Sequence, residues 1–459
     1  MKEKRTQLDM GAEPIKHLLF KLGIPIMLGM LFTAIDNIGD AFFVSRLGVS
    51  QLSAILICAP IGQVIVALGL LFGNGAGAYI PRLLGAKNIV KANKVASSAL
   101  FGSLLLGFIA TILIFVNLES ILRMLGATNE NIGFALKYAR VYVPSLILNI
   151  FTITMNSLNS SEGQAKLVLV VNSLTAVLNF ILNPICIYTL KMGISGAAYA
   201  TVIAQGLATL ILVLNIVLKR SIFNFKISNI SFEKDVLFPV FKIGFSTLTF
   251  QLLTSLSITL VNIQANEYGD SVISGVGAVT RIVSLGTLMV FGFIKGFQAV
   301  AGYNYGAEKY ERLQEAIKTS IIWSTAFCVF FGLIMIAFPT TIISLFTTGD
   351  MEMMEIGQKA LRATGISFMS FGFYTVYSSL FLALGKTKEG FFLGTCRQGI
   401  CFIPTILILP VVWGTNGILY AQPIADIISA VITTFMAISL HKKLNIIKVD
   451  SIDVKPIRL

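Results

Sequence analysis

The sequence predicts an all-α polytopic membrane protein, with twelve transmembrane helices in two parallel-repeat six-helix bundles. Three observations carry that expectation: an apolar composition, twelve span-length segments and an internal repeat. Of the 459 residues, 55% are hydrophobic and only 12% are charged, with a mean hydropathy of +0.83. A soluble globular chain is about a quarter charged. Roughly 20 apolar residues cross a bilayer as a helix. Segments of that kind lie at about 15–44, 51–73, 95–116, 134–157, 166–190, 194–218, 239–263, 271–300, 318–339, 357–384, 391–413 and 417–440.

The first segment is too long for a secretory signal and lacks a cleavage-site pattern, and it recurs later in the chain, so it reads as a retained helix. Phe20 to Gly23 is FKLG and Phe241 to Gly244 is FKIG, an offset of 221 positions. At the same offset Gly48 meets Gly269, Ser53 meets Ser274, Gly75 meets Gly296, and Gly85-Ala86 meets Gly306-Ala307. Near the end of each half, GISGAAYA from Gly193 matches GTNGILYA from Gly414. Each repeat holds an even number of spans, so the two share one orientation, as in parallel-repeat transporters. The expected division is a tail at 1–14, lobes at 15–218 and 239–440, a linker at 219–238 and a tail at 441–459.

A net charge of +13 could suggest nucleic acid, but its distribution points to topology. With twelve spans, the side holding both termini carries 25 of the 35 Lys and Arg; seven lie on the other side, and Arg281, Lys295 and Arg397 fall within spans. The expectation is a multi-pass cell-membrane protein, plasma or inner, with both termini cytoplasmic. Membrane lipids are then its surroundings and nucleic acid is not a partner. The linker, KRSIFNFKISNISFEKDVLF, reads equally as an interfacial segment or a solvated connector. The five cysteines, Cys58, Cys186, Cys328, Cys396 and Cys401, fall inside spans without metal-ligand spacing and read as small buried residues.

Within the first span, AIDNIGDAFFVSRLG carries Asp36 and Asp40. An aspartate at a helix centre costs roughly 2.5–3.5 kcal/mol on insertion scales. Four positions is about one helical turn, so the two acids share a face and are close enough to titrate as a coupled pair. That suits proton loading or coordination of a hard cation such as sodium. The plain alternative is a satisfied buried Asp36 and an interfacial Asp40. Their equivalents at the repeat offset are Ser257 and Val261, so coupling is expected in one half alone. In the fifth span Asn172, Asn179 and Asn183 fall roughly on one face, followed by Pro184, which cannot donate to the Phe180 carbonyl and loosens the helix there. Helix-to-helix hydrogen bonding is the ordinary role for such asparagines.

The runs GDAFFVSRLG, GNGAGAYIPRLLGAKN from Gly73, LNP at 182–184 and YNYGAEK in the second half together resemble the multidrug and toxic compound extrusion (MATE) family, over about residues 12–445. The resemblance implies two six-helix lobes that export small amphipathic organic compounds, often cationic, against an inward flow of protons or sodium. In the prokaryotic branch that couples through its N-terminal lobe, the site resembles Asp40, Asn179, Asn183 and Thr201 of this chain. That branch usually has Asp-Pro where this chain has Asn183-Pro184, which favours protons over sodium; any bound sodium would sit at Asp40. Asp36 would then replace the missing carboxylate. The other branch couples through acids in the seventh span, which has none between Pro239 and Ile263. Asp426, the embedded acid of the second half, is expected to pair helices.

Similar exporters tend to carry acids near Lys295 and in the fourth span, where this chain has Asn156. Lys295, with Arg397, could therefore favour an anionic or zwitterionic substrate; snorkelling or a salt bridge to a first-half carboxylate are the alternatives. Gln63, Phe151, Gln251, Tyr374 and Tyr377 are further candidates for lining a cavity. No cofactor is expected beyond the coupling ion, and a monomer suffices. An ATP-driven pump is excluded because LFLALGKT lacks the first glycine of a phosphate loop and lies in a span. An enzyme is disfavoured because His17 and His441 lie at opposite ends of the chain. The competing reading is a lipid-linked saccharide flippase of the same superfamily, which would call for more than three embedded basic residues.

Overall fold

The computed structural model describes residues 10–347 and 350–453, except for the side chains of 37, 38, 41, 49 and 443–453. The outer parts of both expected tails, 1–9 and 454–459, lie outside the described residues. The first half contains α1 (Ile15–Ser45), α2 (Val49–Gly85), α3 (Ile89–Val116), α4 (Ile132–Ser161), α5 (Ala165–Pro184) and α6 (Ile194–Val217). The second contains α7 (Lys234–Asn266), α8 (Asp270–Gly306), α9 (Tyr310–Ala337), α10 (Met351–Phe368), α11 (Phe371–Ala383), α12 (Thr387–Thr395), α13 (Phe402–Trp413) and α14 (Thr415–Asp453). Among the described residues eleven helical segments are long and apolar enough to cross a membrane, α12 and α13 counting as one; α10 and α11, bent by 49°, complete a twelfth. The expected single span at 357–384 is thus broken, and α14 continues as helix into the expected tail at 441–459.

The repeat is visible in the backbone. Gly48 and Gly269 precede α2 and α8 with φ of 129° and 104°, and Gly193 and Gly414 precede α6 and α14 with φ of 57° and 59°. These are left-handed positions that glycine takes without a Cβ clash. Lys87 and Glu308, also 221 apart, adopt φ of 59° and 57° in the turns after α2 and α8.

The two halves meet along a seam of reciprocal contacts. A Cβ at Gly85 would collide with the Tyr303 carbonyl, and one at Gly306 with the Arg82 carbonyl; the two contacts are each other's image at the repeat offset. Further along, Gly75 lies against Val240 and Gly244 against Leu71, while Gly296 lies against Gly23 and Gly292 against Met27. Small residues let backbones approach this closely. These contacts occupy the part of α1 before Asp36 and the part of α2 approaching Gly85. The halves are therefore closed at the end of the bundle that carries the linker, the linker face.

Segments entering each half are held by the other. Ahead of α1, the Met10 carbonyl accepts from Asn304 Nδ2 at 3.2 Å and the Gly11 carbonyl from Lys309 Nζ at 2.8 Å. Ahead of α7, Lys94 pairs with Glu233 at 2.8 Å and holds that carboxyl below the usual range, and Ser231 N donates to Ser98 Oγ at 2.9 Å. The buried side chains follow the same exchange: Ile15, Leu18 and Leu22 join the second-half core, while Val236, Val240 and Ile243 join the first-half core.

The linker, though exposed over much of its length, is tied to the first half at several points. Asn224 N donates to Asn93 Oδ1 at 2.8 Å, and Phe223 is buried. Just past α4, Glu162 Oε2 accepts from Ser221 Oγ at 2.9 Å and Ile222 N at 2.8 Å. Burial pushes the Glu162 carboxyl up from 4.5 to about 7, against the opposing pull of those two hydrogen bonds.

Candidate functional site

The second part of α1 lies along α5, and small residues set their distance. Gly29 faces Asn172 and Leu169, Gly39 faces Phe180, and the Phe43 and Phe180 rings meet edge to face at 5.1 Å. This register brings the α5 amides onto the α1 acids. Asn179 Nδ2 donates to Asp36 Oδ1 and to Asp40 Oδ1, each at 3.0 Å, and Asn183 Nδ2 donates to Asp40 Oδ1 at 2.6 Å. Asp40 therefore receives two amides and Asp36 one.

Both asparagines are 1% exposed, and their Oδ1 atoms have no hydrogen-bond partner among the described residues. The amides hold the carboxylates without neutralising them, and no Lys or Arg pairs with either acid among the described residues. Two carboxylates and two unsatisfied amide oxygens form a set that can take up a proton or surround a hard cation. The backbone beyond Asn183 is irregular: Pro184 ends α5, and the chain continues as a π-helical turn over Ile185–Thr189. Such turns recur at functional sites. Tyr188 Oη donates to the Phe43 carbonyl at 2.5 Å, fixing this turn to the end of α1.

The other sequence candidates are distributed differently. Thr201 is buried on α6 and its hydroxyl donates to the Ala197 carbonyl at 3.0 Å; among the described residues it makes no hydrogen bond to the four-residue cluster. Asn156 on α4 donates to Asn172 at 2.9 Å, a separate amide pair. Gln63 is exposed on α2, Gln251 is partly exposed on α7, and Phe151 packs against the first-half core. Tyr374 and Tyr377 lie in the second-half core rather than on a cavity wall: Tyr374 Oη donates to the Leu393 carbonyl, and Tyr377 Oη meets His441 Nε2 at 2.8 Å.

Arg397 is committed to Asp426, with Nε–Oδ1 at 2.8 Å and Nη2–Oδ2 at 3.3 Å. Ser367 and Gln422 also donate to Asp426, at 3.1 Å and 2.6 Å, and the guanidinium lies 4.6 Å from the centre of the Phe371 ring. Asp426 thus joins helices, and its pairing removes Arg397 from the group with Lys295. Lys295 stands between the halves, with its ammonium 3.5 Å from Ser157 Oγ; among the described residues it pairs with no carboxylate. Sequence reasoning missed Asn74, Ser157 and Gln298 beside it. The repeat offered a signal for one of them, since Asn74 is the counterpart of Lys295 at the offset of 221.

The chain is similar to named transporters over nearly its whole length. It is 28% identical over 438 residues to the multidrug export protein MepA of Staphylococcus saprophyticus, covering 95% of this chain and 96% of that one. It is also 28% identical to MepA of Staphylococcus aureus strain MSSA476, over 94% and 96%. A structure of the outward-facing conformation of a multidrug resistance MATE family transporter superposes with a TM-score of 0.89 at 25% identity, covering 96% and 99%. A MOP superfamily transporter from Pyrococcus furiosus, described as having a binding pocket of reversed polarity that suggests a different function, superposes with a TM-score of 0.88 at 25% identity, also over 96% and 99%. The MatE family model matches twice, over residues 25–185 and 247–408. These two matches cover most of the chain and fall one in each repeat: the chain is a member of the MatE family of membrane transporters.

Proposed function

We propose that this transporter is an antiporter that exports amphipathic organic compounds or drugs by alternating access, driven by an inward flow of protons. The observation that carries the coupling reading is the Asp36–Asp40 pair, held by Asn179 and Asn183 with no basic partner among the described residues. An acid pair kept in a span by neutral amides can change its charge without leaving a cation stranded. The relatives named multidrug export proteins support the export half of the reading.

In this reading the two halves are six-helix lobes, 15–218 and 239–440, that rock about the glycine seam. The linker face is cytoplasmic, supported by its excess of Lys and Arg. Its closure, together with the likeness to an outward-facing transporter, corresponds to the state in which Asp36 and Asp40 are open to the outside. Protons are preferred over sodium because position 183 is an asparagine, which leaves two acids rather than three. Proteoliposomes with proton and sodium gradients imposed separately test this. Export driven by the proton gradient and abolished by Asp40→Asn is expected, whereas a response to sodium at constant pH overturns the choice of ion.

A further inference from the structure

A second polar constellation lies between the halves, apart from the acid pair. Lys295 of α8 reaches Ser157 Oγ of α4 at 3.5 Å, and Ser157 donates to Asn74 Oδ1 of α2 at 3.4 Å. With Ser160, Ser161 and Gln298, these side chains line a cavity of about 10 Å³. That is space for about one water molecule. Three helices from the two halves therefore converge on one ammonium.

The chemistry of the lining is one-sided. No acid lines the cavity, and among the described residues Lys295 forms no salt bridge. The Ser160 and Ser161 hydroxyls donate to the Asn156 and Leu158 carbonyls of their own helix, so the donors left to the cavity are the ammonium and the Asn74 and Gln298 amides. An ammonium in a span is as costly as an aspartate unless it is paired. Here no compensating anion stands beside it among the described residues. The repeat sharpens this: Asn74 and Lys295 are equivalent positions, so a place symmetry would furnish with two amides has been given a single positive charge. Pairing with Arg397 is ruled out, since that guanidinium is satisfied by Asp426.

We propose that Lys295, with the Asn74 and Gln298 amides, anchors the carboxylate of an acidic or zwitterionic amphiphile, which sets the charge class of the exported compound. This rests on the export reading above and names the substrate class for it. In the state described here the seam has shut the cavity to the size of a single water; parting of Gly85 from Tyr303 and of Gly306 from Arg82 opens it to the linker face and admits the body of the ligand.

Two compounds that share a fluorophore and differ in charge test the proposal: dansylglycine, a carboxylate, and dansylcadaverine, an amine. Their binding to the full-length protein in nanodiscs is read by fluorescence polarisation. The wild type is expected to bind dansylglycine about ten-fold or more tightly than dansylcadaverine. Lys295→Gln should abolish that preference and Lys295→Arg should keep it. Asn74→Asp, which supplies the ammonium with an internal partner, should also abolish it and serves if Lys295→Gln does not fold. Equal binding of both compounds, a preference for the amine, binding of neither, or a preference unchanged in Lys295→Gln overturns the proposal. A Lys295-dependent preference without gradient-driven transport of dansylglycine would instead sink the export reading and leave the anion site standing.

Discussion

Asp40 in the first half and Asp426 in the second solve the same problem in opposite ways. Each is a carboxylate inside a membrane-spanning helix, where an unpaired charge is costly. Asp426 is met by a guanidinium, a hydroxyl and an amide, so its charge is matched within the protein and its geometry is fixed from three helical segments. Asp40 is met by two amides that carry no charge. The first arrangement is a strut; in the second, among the described residues, no basic side chain balances the carboxylate. The difference supports assigning coupling, as proposed above, to Asp40 rather than to Asp426, a point residue type alone does not decide.

The largest expected effect separates the two acids by function. Asp40→Asn should abolish gradient-driven export in proteoliposomes, while the double variant Arg397→Met/Asp426→Leu, which removes the strut as a unit, should still export. Loss of export in the double variant with its fold intact would erase the contrast. Asp36→Asn comes next and should impair coupling as severely as Asp40→Asn; near-wild-type export would reduce Asp36 to a spectator held by Asn179.

Stability should respond the other way round. Arg397→Met alone strands Asp426 and should cost about 3–5 kcal/mol, whereas the double variant should be close to neutral; unfolding of the purified protein in detergent reads both. The smallest effect belongs to Glu162, outside the spans. Its carboxyl is raised from 4.5 to about 7. Its contribution to the folded state is therefore full below a pH of about 4.5 and is lost as the pH rises through about 7. The thermal midpoint of the wild type, measured against Glu162→Gln, should fall across that window. A parallel pH profile for the two would remove Glu162 as the cause.

Much of this organisation was legible in the sequence because it is periodic or costly. Span-length apolar runs, an offset of 221 and two acids one turn apart are visible along the chain, and the asparagines at 179 and 183 were placed on the correct face by helical spacing alone. What stayed hidden depends on which helix faces which. Arg397, within a π-helical turn, and Asp426 are 29 positions apart, with all of α13 between them. Tyr374 and Tyr377 looked like cavity aromatics because composition does not tell a packed tyrosine from a lining one; their hydroxyl partners, a backbone carbonyl and His441, come from other helices. The break between α10 and α11 carries no proline and left no local mark.

The reciprocal glycine seam has the geometry of a twofold homodimer interface written into one chain. Gly85 and Gly306 each receive the other half's carbonyl, so the surface one half presents is the surface it would present to its own copy. A twofold along the membrane normal keeps the two sides of the membrane distinct but treats the two halves alike. Any inequality between the halves must then come from outside the joint, from chemistry that one half possesses and the other lacks, and the Asp36–Asp40 pair is such a feature, since its repeat counterparts are Ser257 and Val261.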